Sequence, residues 1–209
     1  MKAIELQYLP QPLYFAILLK ESQLKVDLYE HYVKQSFRNR CDILSGNGVD
    51  TLSVPVIGGN KKTITKDIQI DYSQKWLNRH WRAIQSAYGK APFFEFYADE
   101  VNLIYEKKYK FLHDLSFHLL TQCLDFLKFD IEISFTTSYA ACDKYPENDF
   151  RSKINPKANP IFYKSYKQVA YQQVFGSKFV NNLSVIDLIF CEGPNAGQIL
   201  KSGIDKGTQ

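Results

Sequence analysis

The period of the apolar residues changes at Ser73, and that change limits the folds open to this chain. Before it, Ile64, Ile68 and Ile70 share one parity, as in a strand with one buried face. After it, Leu77, Trp81, Ile84 and Tyr88 recur at steps of four, three and four, the stripe of an amphipathic helix. A chain carrying both patterns buries a sheet face under helices, which argues against an all-α or an all-β fold.

The same reading extends in both directions. Ala3 to Leu9 alternates, with Ile4, Leu6 and Tyr8 on one side, and predicts a strand ended by Pro10 and Pro12. Leu13 to Glu21 reads as a short helix. Val26, Leu28 and Tyr29 predict a second strand running toward Tyr32, so the opening allows a parallel βαβ unit. Asn47-Gly48 sits between Ile43–Val49 and Leu52–Val56 and predicts a hairpin with a primed turn. Thr63 to Asp71 is expected to be a strand, and Ser73 to cap a helix from Gln74 to Tyr88. Pro92 fits the first turn of a helix from Phe93 to about Ile104. Leu112, Leu115, Leu119, Cys123 and Phe126 mark another, roughly Tyr109 to Lys128. Ile131 to Thr137 reads as a strand, and the Pro- and Asn-rich stretch at about 139–160 as a long loop or lid. A helix from Leu183 to Phe190, capped near Asn182 and ended by Gly193-Pro194, completes the pattern. The expected class is α/β (or α+β): one domain over residues 1–200, a strand-helix-strand and hairpin sheet followed by a mainly helical middle, and a flexible tail at 201–209.

With 209 residues, 45% of them apolar, such a domain needs neither disulfide nor metal to fold. The four cysteines form no CxxC, no secretory leader opens the chain and no run approaches a membrane span, so a cytoplasmic protein away from membranes is expected. Rings make up 15% of the residues, either core filler or a recognition surface. A net charge of +4 is too small to argue for nucleic acid. Its distribution is uneven: Lys34, Arg38 and Arg40 stand in a run without a carboxylate, and Asn60 to Lys90 holds seven cations against Asp67 and Asp71. Such runs are either solvated surface or the lining of an anion pocket, a phosphate pocket for instance.

The P-loop, simple Rossmann, GxSxG and HExxH motifs are absent. His113 and His118 are five apart, a poor metal pair, and neither a metal nor a cofactor is expected. Gly58-Gly59 is a turn or a phosphate cradle. His80, beside the apolar stripe, is a core histidine or a ligand-binding one. Cys41 is an inert thiol or a nucleophile with a lowered pKa. Asp71 stands at a strand end before a helix, where catalytic groups or cap-region acids lie.

Several strings, in order, resemble the WbqC-like protein family. They are Pro12-Leu13-Tyr14-Phe15, Lys34 to Arg40 (KQSFRNR), Leu52 to Val56 (LSVPV), Ile68 to Asp71 (IQID), Trp76 to Ile84 (WLNRHWRAI) and Ala87 to Phe94. Tyr171 to Phe175 and Asn182 to Phe190 follow near the end, and the RNRC and LSVPV strings look most like the Bacteroidetes-type branch. Longer members open with QPxYxPWxGYF and carry an aspartate and a glutamine before the basic run. Here the opening lacks the glycine, and Glu30-His31 stands at the second place.

The resemblance implies work beside bacterial surface-polysaccharide (O-antigen) genes, on sugar nucleotides or similar substrates. The corresponding expectation is a transferase acting on an activated, phosphate-bearing small molecule. Arg38, Arg40 and Arg79 would bind phosphate, Gln35 and Asn39 would orient polar groups, and Tyr14, Tyr32 and Trp76 would stack, with His80 nearby. His31 and Asp71 are the catalytic candidates, His31 as general base. The competing expectation is a non-catalytic binding or scaffold protein working with a partner biosynthetic enzyme. The oligomeric state is left open.

Overall fold

A computed structural model describes residues 2–21, 24–59, 62–141, 146–156 and 166–204. Its centre is a small parallel sheet. Strands β1 (Lys2–Ile4) and β2 (Leu24–Val26) pair in parallel, Ala3 opposite Lys25, with helix α1 (Pro12–Lys20) in the crossover between them. Single parallel bridges add Asp149 beside Ala3 and Phe135 beside Val26, so four chain segments run the same way. Helix α1 is apolar on every side, with Leu13 to Ile17 all buried, as expected of a helix enclosed by its neighbours.

A second layer begins with the hairpin of β3 (Arg40–Ser45) and β4 (Gly48–Ser53). Positive φ falls on Gly48 alone, at 104°, so the expected primed turn does not form. Strands β5 (Val56–Ile57) and β6 (Gln69–Ile70) make a short antiparallel pair. Helices α2 (Trp76–Tyr88), α3 (Phe94–Glu106), α4 (Leu112–Phe126), α5 (Val185–Glu192) and α6 (Ala196–Ser202) pack around these layers on one continuous apolar core. The fold is mixed α/β, with the strand-rich part first and helices after it. Among the described residues no helix is long and apolar enough to cross a membrane.

Further expectations need correction. The strand predicted at Thr63–Asp71 is mostly a 3-10 turn, Thr65–Asp67, because Thr65 and Lys66 donate their N–H groups to the Glu30 and Leu28 carbonyls rather than to a ladder. The stretch from Glu5 to Leu9 leaves the sheet after β1, yet stays buried. Ser73 does not cap α2; its N–H is held by Asp71 Oδ1 at 2.8 Å, and the helix starts three residues later. Of the tail expected from Lys201, α6 includes Lys201 and Ser202, and residues 205–209 lie outside the described residues. Cys142, Asn60, and the parts of the predicted loop at 142–145 and 157–160 lie outside the described residues.

Candidate functional site

In open α/β sheets, ligands bind beyond the carboxyl ends of the parallel strands. Here a buried polar cluster occupies that position. Glu5 directly follows β1 and Asp27 directly follows β2, and both are essentially fully buried. Asp27 is held from every side: the guanidinium Nη1 of Arg151 donates at 2.7 Å, the Thr136 hydroxyl at 2.9 Å, and the N–H groups of Tyr29 and Ala140 at 2.9 and 3.1 Å. Glu5 accepts the Ser152 N–H at 2.9 Å and the Gln7 amide at 2.7 Å. Residues following each of the four parallel segments thus bond to one another at the same end of the sheet.

The loop from Glu30 to Arg40 lies over this end, and its side chains divide between two faces. Inward, Arg38 forks onto Glu30, Nε to Oε1 and Nη2 to Oε2, both at 2.7 Å, and reaches Ser152 Oγ at 3.0 Å. Arg38 is 1% exposed, so its charge is neutralised within the fold. Burial raises the Glu30 carboxyl pKa, opposed by the hydrogen bonds and charge of Arg38.

Outward, the same loop lines a recess of about 410 Å³ with Tyr32, Lys34, Gln35, Asn39 and Arg40, closed by Val56, Gly58 and Gly59. Among the described residues two cations and no carboxylate line it. Arg40 Nε is buried without a hydrogen-bond partner, and so is Asn39 Oδ1, whose own Nδ2 donates to the Val54 carbonyl at 2.7 Å. Burial pushes the Tyr32 phenol up to about 12, opposed by the charges of Arg38 and Arg40, so it stays a neutral donor. A Cβ on Gly59 would stand 3.2 Å from Tyr32 Cε1 and 3.0 Å from Val56 Cγ2, so any larger residue there must push these side chains by a few tenths of an ångström. Gly58 and Gly59 form a bend and turn after β5, as the turn reading expected, and from there they line the recess.

The other expected site residues lie elsewhere. Tyr14 is fully buried and donates its hydroxyl to the Glu5 carbonyl. Trp76 is in the core, 5.0 Å from the His80 ring between centroids, so neither Tyr14 nor Trp76 presents a face for stacking. His80 is buried with both nitrogens engaged. Its Nε2 can only donate to the Ser53 carbonyl, at 3.2 Å, so Nδ1 accepts the Tyr8 hydroxyl at 2.8 Å, and that hydroxyl in turn meets Tyr105. Desolvation lowers its pKa to about 4 and keeps it neutral. Arg79 is exposed on α2 and does not line the recess. His31 is exposed and bridges Ile64 through the backbone. Asp71 is part-exposed, its carboxyl held below the usual range by the hydrogen bond from Ser73. The structure therefore gathers Tyr32, Gln35, Asn39 and Arg40, turns Arg38 inward from the same loop, and disperses the rest. Cys41 is 2% exposed and burial drives its thiol far above its ordinary pKa, which favours the inert-thiol reading.

Glu5, Asp27, Arg151 and Ser152 escaped the sequence reading. The acids had a usable signal, because each directly follows the last apolar residue of a parallel strand. Arg151 and Ser152 had none, since only the folded chain brings them to that end.

The profile of the WbqC-like protein family matches residues 7–159 and 145–199. The chain is also similar to the uncharacterized protein Rv1507c of Mycobacterium tuberculosis, with 23% identity over 225 residues, covering 95% of this chain and 96% of that protein. No solved structure matches.

Proposed function

This chain belongs to the WbqC-like protein family, and from that premise we propose that it is a transferase acting on an activated, phosphate-bearing small molecule, with the phosphates held in the recess beside Arg40. Assembly of bacterial surface polysaccharide, which uses such sugar nucleotides, is the setting we propose. The observation that carries the reading is the buried, unpartnered Nε of Arg40 in a recess that also holds Lys34 and, among the described residues, no carboxylate. An unmet donor on a buried cation is costly, and a phosphate oxygen relieves it with a charge-assisted bond. Lys34 adds a point charge, the Tyr32 hydroxyl a donor, and the Gln35 and Asn39 amides orient the group next to the phosphate. Arg38 acts through position: its bridge to Glu30 holds the loop that carries the other residues. His31, one residue before Tyr32, is the proposed general base.

Calorimetric titration with pyrophosphate and with a nucleoside-diphosphate sugar tests this. Binding to the wild type, weakened at least about tenfold in Arg40→Gln, is expected. Absence of binding by either compound at millimolar concentration overturns it.

A second reading, a non-catalytic binding protein, draws on a separate observation. Neither His31 nor Asp71 lines the recess, and the buried acids near the loop, Glu30 and Asp27, are bound by Arg38 and Arg151. It predicts that His31→Ala leaves any phosphate-ligand affinity intact and that no turnover accompanies binding in the presence of acceptor sugars.

A further inference from the structure

Helices α2 and α3 form an antiparallel hairpin closed by the short turn between Tyr88 and Phe94. Ring contacts set its register: Trp76 lies 6.4 Å from Tyr105 between centroids, and Trp81 lies 6.3 Å from Phe94 and 6.4 Å from Tyr105. Both helices bury one side in the same core, so their outward sides adjoin. Those sides have opposite character. Helix α2 carries Arg79 and Arg82 and no carboxylate, while α3 carries four carboxylates and no cation. Arg79, Arg82, Asp99 and Glu100 are all exposed, and among the described residues none of them forms an ion pair. Phe96 and Leu103 stand on the same outward side of α3, 71% and 56% exposed. They are seven residues apart, a spacing that returns to nearly the same face of a helix. A single exposed apolar side chain is ordinary, but two on one acidic crest, beside a basic crest, make a patterned surface.

We propose that this hairpin is the interface of a two-fold dimer, with α2 of one protomer against α3 of its partner. Charge selects both the occupant and the axis. A basic and an acidic face that adjoin on one chain are complementary to a second copy of that chain, turned about an axis parallel to the hairpin. Such a rotation keeps every residue at its height. Trp81 spans Phe94 and Tyr105, so the middle of α2 stands level with the middle of α3. Arg79 and Arg82 of one protomer therefore come to the level of Asp99 and Glu100 in its partner. A two-fold axis across the hairpin would instead lay α2 on α2 and set arginine against arginine, which like charges disfavour. The aliphatic stems of the arginines cover Phe96 and Leu103, and a guanidinium over the Phe96 ring adds a cation–π contact. Each helix has 13 residues and is about 20 Å long. The face is therefore at the low end for a specific interface, and a dissociation constant in the micromolar range is expected. The inference stands without the phosphate reading, since none of these residues lines the recess.

The test is sedimentation equilibrium on the full chain, from about 1 μM to about 1 mM. A reversible dimer is expected at low salt, weakened at least about fivefold between roughly 50 mM and 500 mM sodium chloride. Phe96→Ser with Leu103→Ser, and separately Arg79→Glu with Arg82→Glu, should be monomeric over the same range with unchanged circular dichroism. Adding Asp99→Lys and Glu100→Lys to the second variant exchanges the signs on both helices. That exchange should restore the dimer, which a damaged fold would not do. Should one of the two paired variants fail to fold, the other carries the same expected loss. The proposal is overturned if the wild type stays monomeric, in which case these faces are solvated or dock a different protein. It is equally overturned if the paired variants dimerise as the wild type does, or if the sign exchange leaves the chain monomeric.

Discussion

Arg38 and Glu30 form a two-pronged bridge, both nitrogen–oxygen distances 2.7 Å, within a loop whose next two residues, Asn39 and Arg40, face a recess. One side of the loop is thus fixed by charge inside the protein while the other is available to a ligand. Removing one partner of such a pair leaves an uncompensated buried charge. Arg38→Met is expected to cost about 3–5 kcal/mol in urea unfolding, and Arg38→Met with Glu30→Leu to recover much of it. A double variant no more stable than the single one would show that the contacts of Arg38 with Ser152 and Ser36, rather than the pair itself, hold the loop.

His80 makes stability depend on pH with a definite sign. In the unfolded chain it titrates near 6.5, and in the fold at about 4. The unfolded state therefore binds the proton first as pH falls. The stability from neutral His80 is present above about pH 6.5 and is lost as pH drops toward 4. The loss is at most roughly 3 kcal/mol, at about 1.4 kcal/mol per pH unit. His80→Gln keeps a donor and an acceptor without titrating, so its urea midpoint should fall less steeply between pH 6.5 and 4. Parallel slopes for the two proteins would contradict the assignment.

Gly193 and Gly48 both have positive φ, 53° and 104°, but only Gly193 is crowded. A Cβ there would stand 2.4 Å from the Phe93 ring, while one on Gly48 meets nothing within 4 Å. Gly48→Ala should cost about 1 kcal/mol, from backbone strain alone. Gly193→Ala should cost clearly more, roughly 2–4 kcal/mol, because the junction of α5 with α3 must open. Thermal melts of the two variants compare them directly, and equal shifts would show that the Phe93 contact relaxes freely.

Cys41, Cys123 and Cys191 are buried free thiols with raised pKa values, about 12 for the latter two. Only thiolate reacts with iodoacetamide. These three are expected to stay unmodified in the native protein at pH 8 and to react fully in denaturant, as peptide mass mapping would show. Labelling of Cys41 in the folded state would reopen its reading as a nucleophile.

Much of the fold follows from local pattern. The steps between Leu77, Trp81, Ile84 and Tyr88 set out α2, and the Asn47-Gly48 region marked the hairpin, although the left-handed backbone fell on Gly48 alone. The errors share a cause. Thr63 to Asp71 has the parity of a strand, yet its N–H groups at Thr65 and Lys66 go to carbonyls of the loop after β2, a partner that only the folded chain supplies.

The sequence by itself determined the class of fold, the family strings and the cations concentrated in one loop, because period, turn residues and charge are properties of neighbours along the chain. Which cation lines a recess was decided by tertiary structure alone. Arg38 and Arg40 are two residues apart with the same chemistry. One meets Glu30 and Ser152 inside, and the other has a buried Nε with no partner at the wall of a recess. The distinction depends on what packs against each, and those groups come from places as distant in sequence as Ser152, brought together only where the carboxyl ends of the parallel strands meet.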